Sequence, residues 1–170
     1  MGTDSRRDFL GQVGKAAAGA ALVAGGSFAA TGTEATAESP PPPTGDAGRA
    51  RRVVPGSTSP NYSRAIVHGG VAYVSGALGI PPGARAVPSD FAEEVRVALE
   101  HLKVGVESAG SKMSQVLKCT CFITEQSQFD AMNQVYRTFF PTDPPARSTV
   151  VVKALVFPGA RIEIDCIAHL

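Results

Sequence analysis

Apolar residues recur every three or four positions over two segments of the chain, a spacing that places them on one face of a helix. The first helix is predicted over residues 91–109. Asp90 and Glu93 resemble a capping box at its start, and Gly110 is a suitable stop. The second helix is predicted over residues 128–140. Its buried face is predicted to carry Phe129, Met132, Tyr136 and Phe139.

Short β-rich runs precede, separate and follow these helices. Two runs around Gly69-Gly70 predict a hairpin, because a Gly-Gly pair suits a two-residue turn. Residues 116–124 predict a strand between the helices, and residues 148–154 and 161–168 predict the last two strands. On the strand between the helices, alternation predicts one shared face for Leu117, Cys119, Cys121 and Ile123.

The predicted order is β-β-(β)-α-β-α-β-β. It indicates an α+β fold of two layers, in which both helices cover one face of a mixed sheet. The other sheet face carries apolar residues too, so we expect a partner subunit to cover it.

The amino-terminal residues 1–37 have the layout of a bacterial export signal. A twin-arginine pair, Arg6-Arg7, precedes a weakly apolar run over residues 16–30 and a small-x-small cleavage site, Ala35-Thr36-Ala37. The apolar run is shorter than the roughly 20 residues of a spanning helix. The pattern predicts export by the Tat route to the periplasm or the extracellular space, with cleavage or retention as an anchor left open. A chance Arg-Arg pair is the alternative.

The proline-rich stretch "ESPPPPTGDAGRARR" predicts a spacer over residues 38–57, which leaves residues 58–170 as the folded domain. From Val53 onward, basic and acidic residues number 10 each. This balance predicts no nucleic-acid partner and no membrane contact apart from export. The three cysteines, an odd number, suggest buried thiols rather than a disulfide framework.

The sequence contains no spacing typical of a metal site, a phosphate-binding loop or a GxSxG nucleophile. The polar residues that remain beside apolar strands and helices are Tyr62, Ser75, Asn133, Arg147, Glu163 and Asp165. Arg147 stands at the mouth of the β-branched run "PPARSTVVV", although arginine is rarely buried without a partner. A structural salt bridge to Glu163 or Asp165 fits the spacing as well as a catalytic role does.

Residues 59–170 resemble the RidA family (YjgF/YER057c/UK114) of 2-iminobutanoate/2-iminopropanoate deaminases. The motifs that carry the resemblance are "NYSRAIVHGGVAYVSG", "VLKCTCFIT", "FDAMNQVYRTFF", "PPARSTVVV" and "IEIDCIA". Asn61, Ala77 and Thr149 depart from the usual residues of the family, and the loop over residues 79–88 is shorter than usual.

The resemblance implies hydrolysis of 2-imino or enamine acids in a homotrimer, with sites between subunits and with no metal or cofactor. It implies that Arg147 binds the substrate carboxylate and that Glu163 orients a water and moves its proton. The remaining substrate-binding residues that it implies are Tyr62, Ser75, Asn133, Ser148 and Thr149, the last two through their backbone. A non-catalytic trimeric carboxylate binder or a chaperone-like protein is the alternative. An endoribonuclease is disfavoured by the neutral charge.

Overall fold

The computed structural model describes residues 50–57 and 59–170, which contain six strands and two α-helices. The strands are β1 (Arg52–Val54), β2 (Ala65–His68), β3 (Val71–Leu78), β4 (Val116–Ile123), β5 (Ala146–Val151) and β6 (Ile162–His169). The helices are α1 (Phe91–Ala109) and α2 (Phe129–Phe139). The predicted export signal and the spacer up to residue 49 lie outside the described residues.

The six strands form one mixed sheet in the order β1-β2-β3-β6-β4-β5. Only the β4–β5 pair is parallel, and every other neighbouring pair is antiparallel. α2 links the two parallel strands, since a parallel pair needs a crossover connection. The predicted α+β fold with a mixed sheet is confirmed.

Both helices pack on the same face of the sheet, and the core lies between the two layers. The α1 stripe is almost completely buried, with Val95, Leu99 and Leu102 at 0% exposure. It packs on strand residues that alternate with exposed ones, such as Ile162 and Ile164 of β6. Burying this apolar area is the main stabilising term, at roughly 25 cal/mol per Å².

The two ends of α1 differ in how well they match the prediction. The Asp90 carboxylate accepts a hydrogen bond from the Ala92 N–H at 3.2 Å, so it caps the helix. Glu93 does not complete a capping box, because its carboxylate pairs with Arg96 at 2.7 Å instead. Gly110 ends the helix with a φ of 97°, a left-handed conformation that favours glycine.

The predicted buried face of α2 is wrong at Phe129. Met132 and Tyr136 are buried as expected, but Phe129 is 39% exposed and Phe140, just beyond the helix, is buried. The reason is tertiary, because Phe129 lies against the side chain of Arg147 at the sheet edge.

Two further expectations about strands are wrong. Leu117 is 50% exposed because the register with β6 shifts between Val116 and Lys118, which takes Leu117 off the shared face. Arg52–Val54, which we assigned to the spacer, forms edge strand β1 and pairs with β2. Val54 is only 1% exposed, so the folded domain begins before residue 58.

The sheet face opposite the helices is open in the single chain. It carries exposed Tyr73 and partly buried residues such as Phe122, Glu163 and Ile167. The three cysteines are free and buried, as predicted, and burial raises the pKa of Cys121 to about 12. In the described part of the chain, no helix has the length and apolar character needed to cross a membrane.

Candidate active site

Arg147 lies on edge strand β5, on the helix-covered face of the sheet. Its register partner on β4 is Cys119, which is fully buried beneath the helices. Its Nη2 donates a hydrogen bond to Oδ1 of Asn133 on α2 at 2.7 Å. The guanidinium carbon lies 4.6 Å from the ring centroid of Tyr136 and 5.7 Å from that of Phe129. One amide and two aromatic rings therefore fix the guanidinium.

The three residues that hold Arg147 share one face of α2. Phe129 and Tyr136 stand four residues before and three residues after Asn133, the spacings that bring side chains together on a helix. Sequence reasoning named Asn133 but assigned the two aromatic residues only to the core. The i−4 and i+3 spacing from Asn133 is the signal that could have found them.

The proposed salt bridge from Arg147 to Glu163 or Asp165 is wrong. None of the ion pairs among the described residues includes Arg147. The one hydrogen bond of its side chain to a described residue goes to a neutral amide, so no described carboxylate neutralises the positive charge. Since a guanidinium carries five N–H donors in a planar fork, most of its donors remain available to a ligand.

Ser148 and Thr149 follow Arg147 on β5 and point to opposite faces. The Ser148 hydroxyl accepts a hydrogen bond from Nζ of Lys118 at 2.7 Å, a partner that sequence reasoning missed. The Thr149 hydroxyl is buried without a partner among the described residues. Because β5 pairs only with β4, its outer edge offers backbone groups to a ligand, as the predicted backbone role requires.

Glu163 lies on β6 and faces the open side of the sheet. Its neighbours Ile162 and Ile164 are fully buried on the helix side, so alternation turns Glu163 away from Arg147. Its carboxylate lies against Gly76 of β3, where a Cβ would clash with Oε1. Burial, and next the charge of Asp165, raise the pKa of Glu163 above its usual value.

Ser75 and Gly76 form a bulge in β3 beside this carboxylate. The β3–β6 register passes from Val74↔Cys166 to Ala77↔Ile164, so two residues oppose Asp165 alone. Bulges often occur next to active sites, where they re-aim side chains. The Ser75 hydroxyl donates to the backbone oxygen of Ser63 at 2.7 Å, which ties the bulge to the loop that precedes β2.

Tyr62 lies on that loop and is 61% exposed. It lines a cleft of about 400 Å³ together with Ser75, Gly76 and His101 of α1. The structure therefore brings Tyr62, Ser75 and the bulge beside Glu163 into one region. No metal-binding group of three or more His, Cys, Asp or Glu side chains occurs among the residues described.

The predicted site residues fall into two regions that a single chain keeps apart. Arg147 and Asn133 lie on the helix side of β5, whereas Glu163 and the bulge lie on the open side of β6 and β3. Strand β4 stands between β5 and β6, a separation of roughly 10 Å across the sheet. Both regions can therefore contact one small substrate only if a second copy of the chain supplies one of them.

Comparison with known families gives one match that covers the folded part of the chain. A family model described as endoribonuclease L-PSP matches residues 55–170. A rat protein named 2-iminobutanoate/2-iminopropanoate deaminase is 36% identical over 123 residues, which cover 69% of this chain and 89% of the rat protein. The human protein of the same name is 33% identical over 124 residues, with the same two coverages.

Solved structures agree with these sequence matches. The structure of YyfA from Yersinia pestis, described as a member of the conserved Rid protein family, has a TM-score of 0.67 at 34% identity. The match covers 71% of this chain and 100% of that one. RidA from Psychrobacter matches with a TM-score of 0.62 at 30% identity, covering 69% of this chain and 94% of that one.

Proposed function

The chain belongs to the endoribonuclease L-PSP family, which includes the RidA proteins, and on this premise we propose that it hydrolyses reactive 2-imino acids. The products are the 2-oxo acid and ammonia. Enamine substrates first tautomerise to the imine, which is then hydrolysed. The observation that carries the proposal is Arg147, a fixed guanidinium that no described carboxylate neutralises. Two relatives named above are themselves named as deaminases of this kind.

Arg147 binds the substrate carboxylate in this proposal. A guanidinium grips a carboxylate through two parallel hydrogen bonds, each contributing roughly 1.5–3 kcal/mol. Tyr136 and Asn133 hold the guanidinium in place, so the imine carbon next to the carboxylate takes a fixed position. Backbone groups of Ser148 and Thr149 on the open edge of β5 add hydrogen bonds.

Glu163 acts on the water that attacks the imine carbon. The carboxylate accepts a proton from the water as the new C–O bond forms, and the imine nitrogen takes up the electron pair of the C=N bond. The same proton then goes to the nitrogen of the tetrahedral intermediate. The C–N bond breaks as the hydroxyl oxygen forms the C=O bond and gives its own proton to the Glu163 carboxylate, and ammonia leaves. A protonated imine is already electrophilic, so the chemistry requires no metal or organic cofactor.

We propose that the active unit is a homotrimer in which neighbouring subunits share each site. Arg147 and Asn133 of one subunit then face Glu163, Ser75 and Tyr62 of the next. The separation of these regions on opposite faces of one sheet supports sharing, and the open sheet face supplies a surface to bury.

The test uses the full chain and 2-iminopropanoate that an amino-acid oxidase generates in situ. Hydrolysis of the imine is followed by the release of ammonia. We expect Arg147→Ala and Glu163→Gln each to lose at least a hundredfold in kcat/KM. Full activity of Arg147→Ala would mean that Arg147 does not bind the substrate carboxylate. Full activity of Glu163→Gln would mean that another group is the general base.

Mixing the two variants tests sharing between subunits. After joint refolding, about a quarter of random interfaces combine an intact Arg147 region with an intact Glu163 region, so activity should return to about that fraction. No recovery in mixed oligomers would mean that each site lies within one chain.

Two other functions predict different results. A non-catalytic carboxylate binder would bind pyruvate at Arg147 yet release no ammonia from any imine. The endoribonuclease that the family description names would need phosphate contacts, but the folded part carries equal numbers of basic and acidic residues. Tight, salt-sensitive RNA binding would therefore contradict the deaminase proposal.

We also propose that the chain is exported through the Tat route. The support is the sequence alone, with Arg6-Arg7 ahead of an apolar run and a small-residue cleavage site. Replacing both arginines by lysine should keep the protein inside a bacterial host, as cell fractionation would detect. Equal export of that variant would contradict the Tat assignment.

A further inference from the structure

The cleft beside the β3 bulge extends well beyond the residues assigned to the reaction. β2 pairs with β3 only as far as Ala65↔Val74, so on that side the last residues of β3 border an open space, while on the other side they pair with β6. Helix α1 closes this space with His101, and the segment before β2 closes it with Gly56 and Arg64. The volume of about 400 Å³ exceeds what a two- or three-carbon imino acid needs.

The charge around this space has one sign. A second cleft, of about 560 Å³, adjoins the first through shared Gly56, Ser57 and Tyr62. Arg64 lines the first cleft and Arg51 lines the second, and no aspartate or glutamate is among the described residues that line either cleft. An anionic group that entered here would meet guanidinium groups and no carboxylate in the lining.

Arg64 is placed to use this charge. Its Nη2 donates to the backbone oxygen of Gly56 at 2.6 Å, which anchors the side chain along the cleft wall. That is the only hydrogen bond of the Arg64 side chain to a described residue, and no ion pair of the described residues includes it. A guanidinium has five donors, so several remain for a ligand carboxylate.

His101 also lines the cleft that Arg64 lines, and its imidazole makes a hydrogen bond there. Its Nδ1 lies 3.1 Å from the backbone oxygen of Leu78. A carbonyl oxygen can only accept, so Nδ1 carries the proton and donates it. This bond fixes the imidazole at the end of β3 that pairs with β6 but extends beyond β2, where it lines the cleft.

The cleft is also next to the proposed general base. Gly76 lines the cleft and, at the same time, contacts the carboxylate of Glu163, where any side chain would clash. Gly76 therefore borders both the cleft and Glu163, and the adjoining second cleft is lined by Ile66, which lies on the open side of the sheet as Glu163 does. A substrate whose imine carbon lies by Glu163 can extend a side chain of two or three carbons into the cleft.

We propose that this cleft is a side-chain pocket and that the preferred substrates are 2-imino acids with a second carboxylate at the end of the side chain. Arg147 takes the carboxylate next to the imine, and Arg64 takes the distal one. This inference rests on the proposed function, because it assigns the substrate class of the same site.

The experiment compares two imines on the full chain. One is generated in situ from alanine and the other from aspartate or glutamate by a matching oxidase. We expect the acidic imine to have the higher kcat/KM. Arg64→Gln should lower the ratio of acidic to neutral kcat/KM about tenfold or more, the size expected when one charged hydrogen-bond partner is lost. Arg64→Lys, which keeps the charge, should restore part of the ratio.

Arg96→Gln is the matched control, since Arg96 lies on α1 outside both clefts and pairs with Glu93. It should leave the ratio unchanged. Turnover of the neutral imine alone, or an unchanged ratio in Arg64→Gln, would overturn the pocket while leaving the deaminase proposal intact. Turnover of neither imine would overturn both.

Discussion

Two arginines in this chain have similar surroundings in the sequence but opposite surroundings in the structure. Arg161 precedes β6, and its Nε donates to Oε2 of the fully buried Glu94 at 2.7 Å. Its Nη1 and Nη2 donate to the backbone oxygens of Ser89 and Pro88 at 3.2 and 2.7 Å. The other oxygen of Glu94 accepts from the backbone N–H of Arg161 at 2.7 Å. The guanidinium of Arg161 therefore donates its hydrogen bonds to acceptors within its own chain.

Arg147 lies within strand β5, yet the one hydrogen bond of its side chain to a described residue goes to the neutral amide of Asn133. Both guanidinium groups lie near aromatic rings, Tyr136 for Arg147 and Phe91 for Arg161. What separates them is the number and charge of their acceptors. A guanidinium fixed by its own chain but not neutralised by it is suited to a ligand carboxylate, whereas one that its own chain saturates serves the fold.

The largest expected effect is on stability, at Arg161. Arg161→Met would leave the Glu94 carboxylate buried without a counter-charge, and we expect the free energy of unfolding to fall by about 3–5 kcal/mol. Urea denaturation with a constant m-value measures this. Arg147→Met is the matched control and should change it by less than about 1 kcal/mol. Equal losses in the two variants would contradict the distinction.

The next effect is on activity, at Arg147. Arg147→Lys keeps the charge but loses the planar fork that binds a carboxylate through two parallel bonds. We expect kcat/KM for 2-iminopropanoate to fall roughly ten- to hundredfold, with the free energy of unfolding nearly unchanged. Steady-state kinetics and urea denaturation on the same preparation measure both quantities. Wild-type kinetics in the lysine variant would mean that a point charge is enough.

The fold was largely predictable because its signals are local. The three-and-four spacing of apolar residues predicted the buried face of α1, and alternation predicted the buried face that Cys119, Cys121 and Ile123 share on β4. Alternation fails at β-bulges, because one inserted residue changes the sheet face to which the neighbouring side chains point. Leu117 is exposed for that reason, although alternation predicted it on the buried face. The bulge at Ser75 and Gly76 could not be predicted from the pattern of apolar residues.

The surroundings of the two arginines were not predictable, because they depend on contacts distant in sequence. Glu94 and Arg161 are 67 residues apart, and nothing in the stripe of α1 distinguishes Glu94 from its partly exposed neighbour Glu93. The contact between Arg147 and Tyr136 depends on where α2 crosses β5, which periodicity does not specify. The sequence therefore named Arg147 as a candidate but could not decide between a salt bridge and a ligand site.

A smaller effect concerns the ring beneath Arg147. The Tyr136 hydroxyl is buried without a hydrogen-bond partner of good geometry among the described residues, beside the thiol of Cys119. Tyr136→Phe should therefore raise the free energy of unfolding by about 1 kcal/mol and keep activity, since the ring remains. Tyr136→Leu should raise KM, because the guanidinium loses its aromatic support. A stability loss in Tyr136→Phe, measured by urea denaturation, would mean that the hydroxyl has a partner.

The smallest expected effect is a shift in the pH dependence at Glu163. The carboxylate must be ionised to accept a proton, so activity falls as pH is lowered through its pKa, which the surroundings within the single chain raise above the usual 4.5. Burial is the larger cause and the charge of Asp165 the smaller one, so Asp165→Asn should move the acid limb of kcat/KM to lower pH without abolishing it. If the acid limb of kcat/KM stayed at the same pH in Asp165→Asn, a group other than Glu163 would be the one that titrates.

Stability should respond to the same group with the opposite sign. A raised pKa means that the folded state binds the proton more tightly than the unfolded state, so Glu163 favours folding when protonated. That contribution is complete below pH 4.5 and is lost as pH rises through the raised pKa. Compared with Glu163→Gln, the wild type should therefore lose free energy of unfolding over this window. Urea denaturation of both proteins at several pH values would detect it, and parallel pH profiles would contradict the assignment. The charge that the proposed reaction needs at Glu163 is thus one that the fold disfavours, whereas the charge at Arg161 is one that the fold requires.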